Sequence, residues 1–502
     1  KGKIMKLIMH ITNKLKLVVA IVLSITSTSC NNWLDLDSED RILENTLFSS
    51  PSGFMSALNG VYIEFLKPNM YGDVLTYKTF DVLAQYYDCS ADEHPMQRLI
   101  KYEPTAKAGQ VSGLWSTAYT LLVNVNTIIE SCDARRNVLS NEYYHVLKGE
   151  ALAMRALIHF ELLRVFGPIY SVSPETECIP YANSSDLVVR PLKKASEIAT
   201  LIMNDFKEAE NLLKGYDPVI TQGAPFKDAG AGIPNDMAYR SMRLNYYAVR
   251  AYIARLALYI GDRETALSYA KSVIKETQED NQWFPLITRA AATTPAKQDR
   301  IYQSEILFGL YNLKRGTIFD NTFSNKMGNN VVLRPSSDNI EALYEDNTKL
   351  NDWRYTEQWM TLKDPDGNEQ KYFVKYMPVD DTDASGVSQG YTYIVPIMRI
   401  SEMYLIVAEC ETDETEAFSY LNKLRAARGI AMVEPGPDRQ KLVEAEFRRE
   451  FIGEGQLFWF YKRLNLTEIP SCTNFNEMVA MQESYYLFSL PQGELDKRKE
   501  KK

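Results

Sequence analysis

The 502-residue chain is 45% hydrophobic and 24% charged, a globular composition that excludes wholesale disorder. Its 65 acidic residues against 56 basic ones give a net charge of −9. The first 29 residues hold five lysines and no acid, so the remainder stands at −14, and an acidic chain without a basic stripe excludes nucleic acid as a partner.

The N-terminus reads as an address. Lys6 to Lys16 is a basic lead-in, Leu17 to Ile25 (LVVAIVLSI) a nine-residue apolar run, and Ser27-Thr28-Ser29 precede Cys30. A run this short is a signal-peptide core and not a membrane span. The small residues before Cys30 resemble a bacterial lipobox, so 1–29 is expected to be removed and Cys30 lipidated, with two or three acyl chains giving a stable anchor. The chain begins at Lys1, and Met5 or Met9 is the expected start. Asn31 to Asp40 is an acidic tether, and Trp33 within it reads as a packing residue.

Phe54, Ala57, Leu58 and Val61 form a first helical stripe that ends near Pro68. Asn69 to Pro104 then loses periodicity while keeping Tyr71, Tyr77, Phe80, Tyr86, Tyr87 and Tyr102. About 35 residues without a period is long for a connection, which marks a functional loop. Trp115 to Ile129 returns to helix, and Asn141 to Phe166 is the strongest helix, stopped by Gly167-Pro168. Pro191 is expected to open a helix that runs to Leu213. Tyr247, Ala251, Ala254 and Leu258 make one stripe, and Ala266, Tyr269, Ala270, Val273 and Ile274 a second. The Gly261-Asp262 turn between them makes a tetratricopeptide-like (TPR) hairpin in which alanines permit close approach.

Periodicity fades from Gln282 to Val395. Glu305–Tyr311, Lys371–Tyr376 and Tyr391–Val395 read as short strands, with a turn at Asp364-Pro365-Asp366-Gly367. Helix resumes at Met398, a capping pattern at Asp413 and Glu416 opens another helix through Arg428, and Val443 to Phe451 is a third. Trp115, Trp353 and Trp459 read as core, and Lys497 to Lys502 as a solvated charge run. The predicted fold is therefore mainly α: a TPR-like array of about four helical hairpins with a loop-rich insertion containing short β-strands. The expected organisation is 1–29 signal, 30–281 N-terminal helical region, 282–395 insertion and 396–502 C-terminal helical region, with 30–502 one compact unit.

Chemistry-bearing motifs are sparse. Gly386-Val-Ser-Gln-Gly390 has the G-x-S-x-G spacing but no hydrophobic strand before it, and all four histidines lie upstream, so a hydrolase elbow is not expected. No two histidines sit at metal-ligand spacing. Asp380, Asp381 and Asp383, and separately Asp364 with Asp366, offer oxygens to Ca2+, but neither run matches an EF-hand loop, and no cofactor or metal is expected. Cys89, Cys132, Cys178, Cys410 and Cys472 form no CxxC and no evident disulfide framework. Glu446 to Glu454 is expected to make ion pairs locking the last hairpin to its neighbour.

Five segments in this order resemble the SusD/RagB family of outer-membrane nutrient-binding lipoproteins. They are Glu150–Gly167 (EALAMRALIHFELLRVFG), Pro396–Glu409 (PIMRISEMYLIVAE), Asn422–Gly429 (NKLRAARG), Glu446–Gly455 (EFRREFIGEG) and Leu490–Glu494 (LPQGE). The resemblance implies a TPR scaffold carrying an irregular loop-rich region, and no enzymatic activity. It implies capture of a nutrient, a glycan or oligosaccharide being favoured by the loop aromatics. It further implies delivery to a SusC-like TonB-dependent barrel as its lid, with the outer-membrane lipid as anchor through Cys30. Family members often carry acids directly behind that cysteine, whereas Asn31-Asn32-Trp33-Leu34 intervene here, which leaves outward display less marked than lipidation. A sugar presents C–H faces to flat rings and hydroxyls to polar rims. On that chemistry Tyr71, Tyr77, Tyr86 and Tyr87 in the first loop, and Trp283 and Phe284 at the start of the insertion, are the candidate ligand contacts. A surface glycoside hydrolase and a periplasm-facing TPR adaptor are the competing readings, and the sequence leaves glycan and peptide both open as the nutrient.

Overall fold

The structure, a computed structural model, describes residues 44–224, 235–344, 349–382, 386, 388, 390–436 and 438–499, together with Gly2. Cys30, the acidic tether with Trp33, and the expected signal segment apart from Gly2 lie outside the described residues.

Twelve α-helices of eight or more residues carry the described architecture: α1 Pro51–Phe65, α2 Pro104–Ala134, α3 Asn141–Phe166, α4 Ala195–Leu213, α5 Tyr246–Tyr259, α6 Arg263–Ile274, α7 Arg315–Thr322, α8 Ile400–Cys410, α9 Glu414–Ala426, α10 Arg439–Glu450, α11 Leu457–Leu464 and α12 Gln492–Lys499. Local chemistry sets their starts. Ser50, Ser140, Asp262, Asp413 and Asp438 each accept a backbone N–H of the first turn, and Pro51 and Pro104 open α1 and α2. The helix expected from Trp115 thus begins eleven residues earlier, at a proline that N1 tolerates.

The helices stack in sequence. α2 packs on α3, α3 on α4, α4 on α5, α5 on α6, α6 on α8, and α8 on α9 and α10, while α1 lies across α2 and α3. Ala254, Ala257, Ala266 and Ala270 are fully buried at the α5–α6 contact, as their size predicts. One apolar cluster runs from Phe48 to Phe488. No helix among the described residues is long and apolar enough to cross a membrane.

Four two-stranded antiparallel ribbons join the array: β1 Glu177–Ile179 with β2 Lys193–Lys194, β3 Ile306–Tyr311 with β6 Ile394–Arg399, β4 Trp359–Lys363 with β5 Glu369–Phe373, and β7 Glu468–Pro470 with β8 Met478–Ala480. The β1–β2 pairing moves the start of α4. Lys193 and Lys194 are held opposite Ile179 and Glu177, so Pro191 precedes a strand and the helix begins at Ala195. The β3–β6 pairing closes the insertion at its base, with Tyr311 opposite Ile394 and Ile306 opposite Arg399. That ladder lets α6 dock on α8 across more than a hundred intervening residues. Met398 belongs to the ladder, and helix resumes only at Ile400. The tail also differs from a free charge run: α12 extends through Lys499, and Arg498 donates to the Arg190 carbonyl at 3.0 Å.

The Glu446–Glu454 segment is locked as expected, on a larger scale. Arg354 reaches Glu446 (3.0 Å) and Glu450 (3.2 Å), Arg399 reaches Glu454 (2.7 Å), and Arg449 reaches Glu446 (2.8 Å), all buried. The charges come from α10 and the turn after it, β6 and the insertion, so the network ties the insertion to the helical array.

Candidate functional site

Each expected ligand aromatic has a definite place. Tyr71, Tyr77, Tyr86 and Tyr87 are at most 1% exposed and Phe284 is 2% exposed. Tyr71 donates to Glu161 (2.9 Å), Tyr86 to the Arg448 carbonyl (2.6 Å), and Tyr87 to the Tyr77 carbonyl and Asp81 (3.2 Å each). Tyr77 packs edge-on against Tyr376, and Phe284 against Tyr247. Trp283 is half-buried, its ring covering Gly223 and its Nε1 donating to the Ile220 carbonyl at 3.3 Å. A ring sealed in the interior has no face left for a sugar, so five of the six serve as packing in this structure. The physical reason is that Asn69–Tyr87 is not a draped loop. Its Val74, Leu75, Phe80, Val82 and Leu83 join the core, and Thr79–Leu83 forms a turn of helix.

Polarity takes over at the next residue. Asp88-Cys-Ser-Ala-Asp-Glu-His94 meets the insertion, where the Asp88 N–H donates to the Arg334 carbonyl at 2.9 Å. Between them lies a cavity of about 250 Å3, walled by Asp88, Ser90 and His94 on one side and by Asn329, Arg334 and Gln370 on the other. It is the place where the two irregular regions picked out from the sequence come together. The signal in the sequence was the abrupt change after Tyr87, from aromatic to polar.

The groups lining this cavity offer both hydrogen-bond donors and acceptors. Arg334 is half-buried over the Tyr372 ring (5.6 Å) with a long contact to Gln370 (3.4 Å), and it pairs with no carboxylate among the described residues. An arginine with spare donors beside a cavity is a ready binding group. Asp88 Oδ1 accepts from the Ser90 N–H (3.1 Å) and Oγ (2.6 Å), which fixes the carboxylate. His94 is 5% exposed, and its Nδ1 accepts from the Met96 N–H at 3.1 Å. That bond places the imidazole proton on Nε2, which lies near the Val332 backbone but makes no well-formed hydrogen bond among the described residues. Burial pushes the imidazolium below its ordinary range, with the Val332 backbone and the Asp88 charge opposing, so the ring acts as a neutral donor.

Catalytic constellations do not assemble at the places where the sequence offered fragments of them. Ser388 Oγ donates to Asp381 at 2.8 Å, while His145 stacks on Tyr216 and His159 on Tyr181. Glu446 and Glu450 are sealed among guanidinia. Asp364 spends its oxygens on the N–H groups of Asp366 (3.0 Å) and Asn368 (2.8 Å) and on Asn329 (2.8 Å), which caps the β4–β5 turn. Among the described residues no three His, Cys, Asp or Glu side chains cluster as a metal would require. The five cysteines from Cys89 onward are free and buried.

Comparison with known proteins bears on the whole chain. A family model described as the SusD family matches residues 221–500, and one described as "Starch-binding associating with outer membrane" matches residues 32–258. The chain is 22% identical over 496 residues to SusD-like protein P38 of Formosa agariphila, covering 87% of this chain and 88% of that relative. Among solved structures, a SusD-like carbohydrate binding protein from Bacteroides vulgatus superimposes with a TM-score of 0.67 at 18% identity, over 90% of this chain and 97% of the other. Surface glycan-binding protein A from Bacteroides thetaiotaomicron, in complex with laminarihexaose, superimposes with a TM-score of 0.64 at 16% identity, over 89% and 98%. The helical array with its inserted loops is thus the fold of these proteins, and with one family model covering more than half of the sequence, the chain belongs to the SusD family.

Proposed function

We propose that this protein is a non-catalytic glycan-binding protein of the bacterial outer membrane, anchored by lipid on Cys30 and displayed outward. It captures an oligosaccharide and passes it to a SusC-like TonB-dependent barrel, over which it acts as a lid. In this reading residues 30–281 and 396–502 are the rigid scaffold, and 282–395 supplies one wall of the site. Support comes from the relatives' names, which speak of carbohydrate and of a bound laminarihexaose, and from the family description that places starch binding at the outer membrane.

The observation that carries the reading is the cavity between Asp88–His94 and Asn329–Gln370, with an arginine free of carboxylates and a buried neutral histidine donor. At about 250 Å3 it falls just below the ~300–1,000 Å3 of small-molecule pockets, which suits one end of a chain and not a whole oligomer. Among the described residues one carboxylate, Asp88, lines it, whereas glycosidases use two.

Calorimetric titration of a panel of oligosaccharides tests this. The best ligand should bind Arg334→Ala at least about tenfold more weakly, a loss of about 1.4 kcal/mol. The same ligand should be recovered uncut after overnight incubation. Unchanged affinity in Arg334→Ala removes the cavity from consideration, and released fragments revive the hydrolase. Solubilised outer membranes should yield the protein together with a TonB-dependent barrel.

A further inference from the structure

A second concavity, about 410 Å3, shares no lining residue with the first. One wall is α2, which presents Ser112, Trp115, Ser116 and Tyr119 at spacings of three, one and three, a single helical face. The opposite walls are the segment ending in Val188, Val189 and Arg190 and the C-terminal helix α12 with Glu494, Lys497 and Arg498.

The walls are chemically mixed. Tyr119 is half-buried, its hydroxyl held by the Pro180 carbonyl at 2.8 Å and its ring 4.7 Å from that of Trp115. Ser112 and Ser116 donate to the carbonyls of Gly109 (2.9 Å) and Gly113 (3.2 Å), which leaves their oxygen lone pairs as acceptors. Val188 and Val189 are 57% and 44% exposed and supply an apolar flank. Three cations line the groove against one carboxylate. Arg498 pairs with Glu494 at 2.6 Å but keeps a buried Nε without an acceptor among the described residues. Arg190 pairs with Asp186 outside the lining, and Lys497 is exposed and pairs with no carboxylate among the described residues. A cation-rich groove is unexpected on a chain whose balance is −9.

We propose that this groove is a second saccharide site, selective for a sugar unit that carries an anionic group, either a carboxylate or a sulfate ester. The ring lies against Tyr119, Trp115 and the valines, its hydroxyls meet the serine oxygens, and its acid group pairs with Lys497 and Arg498. The proposal rests on the glycan reading for its ligand class but not on the Asp88–Arg334 cavity. It makes the protein bivalent, so a polymer engaging both sites is held more tightly than either site holds a fragment.

The test compares three probes by calorimetry: a neutral gluco-oligosaccharide, an oligouronate and a sulfated oligosaccharide, with inorganic sulfate as control. Three variants are used. Lys497→Glu reverses an exposed charge, Ser116→Trp fills the groove from an exposed helix position, and Arg334→Ala disables the other site. The oligouronate, the sulfated probe or both should weaken at least about tenfold in Lys497→Glu and in Ser116→Trp, stay unchanged in Arg334→Ala, and weaken as salt rises. Which acidic probe responds identifies the anionic group. If both acidic probes fail to bind, or bind Ser116→Trp undiminished, the proposal is overturned. Inorganic sulfate binding alone, without either acidic saccharide, also overturns it. Loss of the neutral ligand only in Arg334→Ala would uphold the first site whatever happens at the groove. Acidic binding without any neutral binding would uphold the groove while the first site fails.

Discussion

Arg428 and Glu305 stand 123 residues apart in sequence and meet through two parallel N–H···O bonds of 2.7 Å each, both side chains fully buried. Arg428 ends the helical hairpin α8–α9, and Glu305 precedes β3 at the base of the insertion. The same carboxylate accepts from the Ile287 N–H at 2.9 Å, so it also holds the chain where the insertion begins. Ion pairs at this depth bring little net stability over a well-packed apolar pair, but leaving one partner alone is costly.

Glu305→Ala should therefore destabilise the protein by about 3–5 kcal/mol, because it leaves Arg428 charged and partly unpartnered in the interior. Arg428→Lys should not rescue, since an ammonium cannot reproduce the fork. Urea denaturation followed by far-UV circular dichroism reads both, and a change below 1 kcal/mol in Glu305→Ala would contradict the account.

The network also sets an acid limit. Burial by itself would raise the Glu446 carboxyl, but Arg449, Arg354 and Arg425 outweigh it and hold it at about 2. For Glu450 burial again pushes upward, and Arg428 and Arg399 outweigh it and take the carboxyl well below the usual range. A carboxyl depressed in the folded state contributes stability that is fully present above the unfolded value, about 4.3, and is lost as pH falls toward the folded one. The urea midpoint should accordingly fall steeply below about pH 4. In Glu446→Gln the fall should be shallower.

Asp81 is the hinge of the first irregular segment. Its two oxygens accept the Gly453 N–H at 2.6 Å and the Gly455 N–H at 3.1 Å, and Tyr87 adds a third bond. Gly455 holds φ at +67°, and a Cβ there would sit 2.6 Å from the Leu75 and Thr76 carbonyls, so the backbone approach requires glycine. Asp81→Asn turns one acceptor into a donor facing an N–H. It should cost about 1–3 kcal/mol in thermal or urea unfolding, more than Tyr87→Phe, which removes a single bond.

Tyr86→Phe and Arg334→Ala should separate stability from binding. The first removes a buried hydroxyl bond to Arg448 and should lower stability by about 1 kcal/mol while oligosaccharide affinity is unchanged. The second touches a half-buried cation without an acid partner and should do the reverse. Weakened binding in Tyr86→Phe at full stability would return that ring to the ligand.

Asn245 joins two elements at once. Its Oδ1 caps α5 through Tyr247 and Ala248 (3.0 Å each), and its Nδ2 donates to the Leu307 carbonyl on β3 at 2.7 Å. Asn245→Ala should cost about 2 kcal/mol, the upper range for a cap, because a buried strand carbonyl also loses its donor. Asn245→Asp, which keeps the cap alone, should recover only part of this in the same unfolding assay.

Sequence by itself determined the scaffold. Apolar spacing, capping residues and the alanine faces of α5 and α6 are local properties, and they settle where helices run and which sides they bury. The five matched segments, read in order, determined the family for the same reason, since they are the faces and turns through which the helices meet. The tertiary structure alone decided where the candidate residues lie. Tyr71, Tyr77, Tyr86 and Tyr87 carry the composition of a binding loop, and whether an aromatic ring lies inside or out depends on neighbours such as Glu161, Arg448 and Tyr376, distant along the chain. Likewise no local pattern joins Asp88 to Arg334 or Trp115 to Arg498. Those meetings follow from the closure of the insertion by β3 and β6 and from the placing of α12 across a groove from α2, juxtapositions over hundreds of residues that spacing along a sequence does not encode.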